Sequence, residues 1–317
     1  MRIVFFGTPE FAAVSLRALL RERFDIAGVV TQPDRPQGRS RSTLLPPPVK
    51  VTAEQAGLTV LQPDRPIGDI FEAGLRRLDA ELGVVVAYGH ILRPHVLAIP
   101  RRGMINVHAS LLPALRGAAP IQHAILNGDA QTGISIMEME AGLDSGPVLH
   151  TIATPIGPDE TAGALTVRLA ELGAQALVEA LGTMRAGRAR PEPQDDSAAT
   201  LAPKIDRGTA RIRWNETADE VARRIRAMDP SPGAWSTLGG EVKMFGAVAI
   251  EAPRERRGSG GQGRAEPGEV LELDHRMVVA AGEGAVSIAA VQPAGKRRLG
   301  VSEWTRGRGV AVGQRFE

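Results

Sequence analysis

Four short apolar runs stand in the first ninety residues: 2–6 (RIVFF), 26–30 (IAGVV), 58–61 (LTVL) and 82–87 (LGVVVA), separated by stretches of helical length. None alternates with polar residues, so each must be buried on both faces. Strands of that kind joined through helices form a parallel sheet covered on either side. The first run ends at Gly7-Thr8-Pro9, and Pro9 suits an opening helical turn. A helix is predicted over 9–21, with Phe11, Val14, Ala18 and Leu19 near the 3.6-residue period. The turn GTPEF lacks the glycines of G-x-G-x-x-G that let backbone approach a pyrophosphate, so the sheet reads as Rossmann-like without a dinucleotide.

A second helix is predicted over 159–184, capped by Asp159 or Thr161, with Leu165, Leu169, Leu172, Ala176, Leu177, Leu181 and Met184 in one stripe. After Gly187 this pattern stops. Residues 188–203 (RARPEPQDDSAATLAP) hold three prolines among small polar residues, a linker composition. Beyond it come a helical segment, 216–228, with Val221, Ile225 and Met228 on one face, and strand-like runs at 241–250, 269–273, 276–281, 285–292 and 309–312. Short strands with glycine punctuation predict a small barrel. Residues 253–268 are Gly-rich and read as a loop. The expected organisation is a catalytic domain 1–187, a linker 188–203 and a C-terminal domain 204–317, in line with two domains for 317 residues.

Charge excludes some functions. The 38 basic and 36 acidic residues leave a formal +2, yet the isoelectric point is about 9.4. With four lysines, one tyrosine and no cysteine, little loses charge above neutrality, and the remaining basic residues are arginines. The high value thus reports missing buffering groups, not a polycation, and any basic surface is local. Residues 1–203 hold 19 basic and 21 acidic residues, whereas 204–317 hold 19 and 15. The absence of cysteine removes disulfides, thiolate metal sites and a thiol nucleophile. The histidines at 90, 95, 108, 123, 150 and 275 form no HExxH pair, so no metal is expected. No apolar run approaches the roughly 18 residues of a membrane span, and the start MRIVFFGTPEF has no signal-peptide core. A cytoplasmic protein without a membrane partner, monomeric by default, is the expectation.

Chemistry concentrates in 104–147. If 104–108 is a strand, Asn106 and His108 project from one face roughly 7 Å apart. The turn Ala141-Gly142-Leu143-Asp144-Ser145-Gly146 offers a carboxylate that would hold the imidazole's tautomer and favour its charged form. An amide, an imidazole and a carboxylate suit a reaction whose substrate brings the nucleophile: the amide donates to a developing oxyanion while histidine assists proton transfer. Taken singly, the same residues also read as a strand-end amide, a structural histidine and a turn former.

The run INVHASLLPALRGAAPIQHAILNGD followed by GLDSG resembles the formyltransferases that use 10-formyltetrahydrofolate. The resemblance implies Asn106 as oxyanion stabiliser, His108 in acid–base or electrostatic assistance, and Asp144 orienting it. It further implies that Ser110, Leu111, Leu112 and Pro113 contact the folate, with the backbone of Val86, Ala87, Tyr88 and Gly89 beside the pterin.

The segments TQPDRPQGR (31–39), QDDSAATLAPKI (194–205), PSPGAW (230–235) and QPAGKRR (292–298) resemble the branch of that family that formylates methionine carried on initiator tRNA. This implies a Rossmann-like catalytic domain and an OB-like C-terminal barrel that helps hold the tRNA. Arg39 and Arg41 would meet its acceptor end and Lys296, Arg297 and Arg298 its phosphates. On composition alone the first pair reads equally as a solvated loop and the second group as an exposed strand end. Formyl transfer to a nucleotide-linked amino sugar is the alternative activity, and a non-catalytic tRNA-binding protein the alternative class. The chain departs from the family at Gly38-Arg39-Ser40-Arg41-Ser42, where Gly-Arg-Gly-Lys-Lys is usual, and at Ala114-Leu115, where many members carry Arg-Trp.

Overall fold

The computed structural model describes residues 1–37, 43–252, 265–307 and 309–317. Strand β1 (Arg2–Gly7) buries Ile3, Val4, Phe5 and Phe6 completely. Each side chain of that size contributes about 1.5–3 kcal/mol on leaving water, so this strand anchors the sheet. Helix α1 (Glu10–Arg21) starts where the Pro9 carbonyl accepts from Ala12 N at 2.9 Å, and it buries Ala12, Leu16 and Leu19. The chain continues through β2 (Asp25–Val30), the antiparallel pair β3 (Arg35–Gln37) and β4 (Thr43–Leu45), α2 (Pro48–Gln55), β5 (Val60–Leu61), α3 (Asp69–Arg77) and β6 (Leu82–Val86). Next come α4 (Pro94–Leu97), β7 (Met104–His108), α5 (Pro120–Asn127), β8 (Gln131–Glu138), β9 (Val148–Pro155) and α6 (Ala162–Arg185). Thr161 caps α6, its Oγ1 accepting from Ala164 N at 3.2 Å.

The large sheet has the order β5-β2-β1-β6-β7-β8-β9. Its first five strands are parallel, as the apolar runs predict. β8 and β9 run antiparallel, so the sheet is mixed. The connection between those two is short and carries no helix, which forbids a parallel crossover, and β9 alternates exposed with half-buried positions as a strand with one wet face does. From β1 the chain moves outward to β2 and β5, then returns to β6 on the other side. The carboxyl ends of β1 and β6 therefore bound the crevice where open α/β sheets bind ligands. Gly7 at that edge has no room for a side chain: a Cβ would stand 2.7 Å from Ala12 Cβ and 3.0 Å from the Val86 carbonyl.

The chain divides into two compact units. The first comprises 1–120, 131–155 and 166–202; the second comprises 121–130, 156–165 and 203–317. The division is not a single cut, because 121–130 and 156–165 fall in the second unit; residues 188–202 lie in the first, where Val148 and Glu192 exchange both main-chain hydrogen bonds at 2.8 and 2.9 Å.

In the second unit, α7 (Ala218–Met228) opens with a capping box. Glu220 Oε2 accepts from Thr217 N at 2.9 Å while Thr217 Oγ1 accepts from Glu220 N at 3.3 Å. The buried Val221, Ala222, Ile225 and Met228 form its apolar face. An antiparallel sheet of order β10-β11-β14-β13-β12 follows, from β10 (Ala234–Thr237), β11 (Glu241–Ile250), β12 (Val270–Leu273), β13 (Met277–Ala280) and β14 (Ala285–Pro293). The short β15 (Leu299–Gly300) pairs with β14 and leads into α8 (Val301–Arg306). The expected strand at 309–312 is absent. Gly309 N instead donates to the Trp304 carbonyl at 3.1 Å, the chain turns at Gly313 with φ of +85°, and the buried Phe316 stacks on Trp214. No helix of the described residues is long and apolar enough to cross a membrane.

Candidate active site

Strand β7 runs between β6 and β8, with Asn106 opposite Val85 and Met137, and His108 opposite Ser135. Alternation along the strand sets both polar side chains on one face, as the sequence predicts. His108 is 5% exposed; Asn106 is half-buried, and its amide has no hydrogen-bond partner among the described residues.

The histidine is wired by its two neighbours. Nε2 lies 3.0 Å from the Leu115 carbonyl, which can only accept, so this nitrogen carries a proton and donates it. Nδ1 is the nitrogen left to gain or lose a proton, and Asp144 Oδ2 stands 3.6 Å from it. The sequence expectation that Asp144 holds the tautomer is thus corrected: a main-chain carbonyl fixes the tautomer, and the carboxylate faces the position where positive charge arises. Asp144 Oδ2 is itself placed by Gly117 N, which donates at 2.9 Å. Leu115 and Asp144 both adopt left-handed backbone, with φ of 60° and 48°. Strain of about 1–3 kcal/mol per such residue persists where surrounding bonds over-determine it, and here it accompanies both partners of the histidine.

The loop after β7 is knotted to β8. Ser135 Oγ donates to the Ser110 carbonyl at 2.8 Å and accepts from Leu112 N at 3.0 Å, while Ser110 Oγ donates to the Ala114 carbonyl at 2.6 Å. Leu111, Leu112 and Pro113 stay half-buried, while Ser110 is buried. Leu111 lies over Gly133 in β8, where any Cβ would collide with it and with the Ile152 carbonyl. The structure therefore presents the apolar loop at one place but commits both serine hydroxyls to backbone carbonyls.

Residues 86–89 lie at the carboxyl end of β6, beside the crevice. The Val86 and Tyr88 side chains are buried, so main chain is what this segment can offer a ligand. Tyr88 packs edge-on against Phe6 with ring centroids 5.5 Å apart, and burial pushes its phenol up to about 12. Its carbonyl accepts from Thr8 Oγ1 and Gln32 Nε2, both at 2.9 Å. Gly89 has φ of +85°, and a Cβ there would collide with Gln32 Nε2. Asp34, two residues from Gln32, is held below the usual carboxylate range by hydrogen bonds from Gln62 and then Lys50.

The residues expected to meet tRNA fare differently. Arg39 and Arg41 lie outside the described residues. In the second unit, Arg298 donates to Asp229 at 3.1 and 3.3 Å and stacks 4.0 Å over Phe245, and Arg297 pairs with Glu303. Lys296 is exposed. Exposed Arg207 and Arg211 flank the Trp235 ring at 4.2 and 5.5 Å, a grouping that sequence reading missed although the alternation Arg211-Ile212-Arg213-Trp214 signals one polar face.

Also missed are Gln194 and Thr200. Gln194 Nε2 donates to the Asp144 and Gly146 carbonyls at 2.9 and 2.7 Å, and Thr200 Oγ1 accepts from Leu115 N at 2.9 Å. Both sit in a Pro-rich stretch whose composition signals a tether. Among the described residues no group of three His, Asp or Glu side chains is placed to hold a metal.

Comparison with known proteins gives the relatives of this chain. The profile of a family described as formyl transferase matches residues 1–181, and that of a formyl transferase C-terminal domain matches 204–309. A methionyl-tRNA formyltransferase of Acidothermus cellulolyticus is 45% identical over 325 residues, covering 100% of each chain. The crystal structure of WlaRD, a sugar 3N-formyl transferase in the presence of dTDP and 5-N-formyl-THF, superposes with a TM-score of 0.68 at 16% identity, over 94% of this chain and 99% of that one. HypX from Aquifex aeolicus in complex with tetrahydrofolic acid gives 0.64 at 21% identity, over 96% of this chain and 46% of that one. These two share the fold.

Proposed function

The chain belongs to the methionyl-tRNA formyltransferase family, and on that premise we propose that it transfers the formyl group of 10-formyltetrahydrofolate to the α-amine of methionine esterified to initiator tRNA. The observation that carries the mechanism is the wiring of His108: Nε2 is tied to the Leu115 carbonyl, and Nδ1 faces the Asp144 carboxylate. That the Ser110 and Ser135 hydroxyls donate to backbone carbonyls supports a nucleophile supplied by the substrate. Esterification lowers the basicity of the amine, so much of it is neutral near physiological pH.

The amine lone pair attacks the formyl carbon, and the carbonyl electrons move onto oxygen. The unpartnered amide of Asn106 donates to that oxyanion. The attacking nitrogen loses a proton to His108 Nδ1, and Asp144 stabilises the imidazolium. Collapse re-forms the carbonyl, breaks the bond to N10, and delivers a proton to N10. The products are N-formylmethionyl-tRNA and tetrahydrofolate. Ser110, Leu111, Leu112 and Pro113 would line the folate, with main chain at Val86, Tyr88 and Gly89 beside the pterin.

We assign 1–187 to catalysis, 188–203 to the linker, and 204–317 to an OB-like domain that holds the tRNA through Lys296, Arg297 and Arg298, with Arg39 and Arg41 at the acceptor end. The excess of basic residues in 204–317 and the arginines around Trp235 support that role. A cytoplasmic monomer fits a translation enzyme. The test is formyl transfer from 10-formyltetrahydrofolate to charged initiator tRNA, charged elongator tRNA and amino-sugar nucleotides. Transfer to initiator Met-tRNA alone is expected; activity on the amino-sugar nucleotides alone would overturn the assignment.

A further inference from the structure

Every hydrogen-bonding position of the Gln194 amide is filled. Oε1 accepts twice from Arg116, from Nε at 3.0 Å and Nη2 at 2.8 Å, while Nε2 donates to the Asp144 carbonyl at 2.9 Å and the Gly146 carbonyl at 2.7 Å. This pattern admits one orientation, since the oxygen meets only donors and the nitrogen only acceptors. Glutamate could keep the Arg116 contacts but not donate to the carbonyls, and asparagine is a methylene short. Arg116 is 8% exposed and also binds Asp196 at 2.8 Å, so the oxygen side of the amide is anchored in protein.

The bonds of Gln194 end on the turn that carries the catalytic carboxylate. Asp144 sits there in left-handed backbone, its carbonyl held by Gln194, its Oδ2 on Gly117 N and 3.6 Å from His108 Nδ1. The other partner of the histidine is held from the same segment: Leu115 N donates to Thr200 Oγ1 at 2.9 Å, Arg116 N to the Thr200 carbonyl at 2.9 Å, and Ala202 N to the Arg116 carbonyl at 2.7 Å. Residues 194–202 therefore brace both neighbours of the imidazole.

We propose that Gln194 is a positioning residue of the formyl-transfer site, acting through Asp144. Resting on the function proposed above, this makes the segment between the catalytic and C-terminal regions part of the site's frame as well as a tether. Displacing the carboxylate by a fraction of an ångström weakens its hold on the charged imidazole in the transition state and leaves both substrate-binding surfaces in place.

The test is a double-mutant cycle in the full chain with Gln194→Ala, Gln194→Glu, Asp144→Ala and the paired variants, reading kcat, both KM values and thermal midpoint. Gln194→Ala and Gln194→Glu should each lower kcat about tenfold or more with both KM values within about twofold. Gln194→Glu keeps the acceptor for Arg116 but sets an oxygen against the Asp144 and Gly146 carbonyls, so it perturbs the turn while leaving the Arg116 side of the contact in place. In the Asp144→Ala background neither Gln194 change should lower kcat further. Wild-type kcat in Gln194→Glu, a loss confined to KM, or losses that multiply in the paired variants would overturn the proposal while leaving the formyltransferase reading intact. A wild-type chain with no formyl transfer would overturn that reading and this proposal with it.

Discussion

Asp144→Asn isolates the charge of the carboxylate proposed to act on His108 from its shape. Asparagine keeps an oxygen that can accept from Gly117 N, so the turn should hold its conformation. What disappears is the attraction between a carboxylate and the imidazolium formed as His108 takes a proton 3.6 Å away. At that distance and an effective dielectric near 20, two full charges attract by about 4.6 kcal/mol. The Asp144 side chain is 17% exposed, so water screens part of this. A loss of about 2–3 kcal/mol from the transition state corresponds to a fall in kcat of about thirty- to 150-fold. Single-turnover formylation of initiator Met-tRNA at saturating folate reads the step directly. Both KM values and the thermal midpoint should stay near wild type. A rate within about threefold of wild type, or a loss carried wholly by KM, would refute the claim that the carboxylate acts on the charged imidazole.

Tyr88 is the only tyrosine, so tyrosinate absorbance reports it alone; its midpoint should lie near pH 12, where an ordinary phenol titrates near 10. Since folding favours the neutral phenol, that contribution to stability is complete below pH 10 and is lost as pH rises through 12; a midpoint at 10 in folded protein contradicts it. Ser135→Ala strips the Ser110 carbonyl and Leu112 N of their partner, a loss of about 2–3 kcal/mol that should lower the thermal midpoint and raise KM for the folate; an unchanged midpoint argues against the knot. Arg298→Ala should destabilise the second unit by about 1–2 kcal/mol, discounted for the exposure of this side chain, whereas Lys296→Glu should spare stability and reduce the salt slope of tRNA binding by about 1. If Arg298→Ala leaves the thermal midpoint unchanged, its pairing with Asp229 and its stacking on Phe245 do not hold the second unit together.

Much of the architecture is written locally. Burial on both faces leaves unalternating apolar runs, and four of these locate strands β1, β2, β5 and β6. The helix beginning after Thr161 follows from a cap and a 3.6-residue stripe, both of which need only neighbouring residues. Asn106 and His108 could be paired because a two-residue strand period puts them on one face. The hairpin of β3 and β4, the antiparallel β8 and β9, and the turning chain after α8 that stands at 309–312 in place of a strand depend on which partners are available, and no local pattern records that.

The histidine, the amide and the carboxylate were thus legible as residue types, and the resemblance of their surroundings to the formyltransferases named their chemistry. What the sequence by itself determined is the set of pieces: a Rossmann-like sheet, a short-stranded C-terminal region, and an Asn-x-His strand followed by a Gly-flanked aspartate. Only the tertiary structure decided how the pieces act on one another, namely that a Leu115 carbonyl fixes the tautomer and that Gln194, fifty residues beyond Asp144, locks the carboxylate's turn. The reason is physical: periodicity encodes which face a residue takes, but a hydrogen bond closed across so long a loop depends on the whole fold bringing its two ends together.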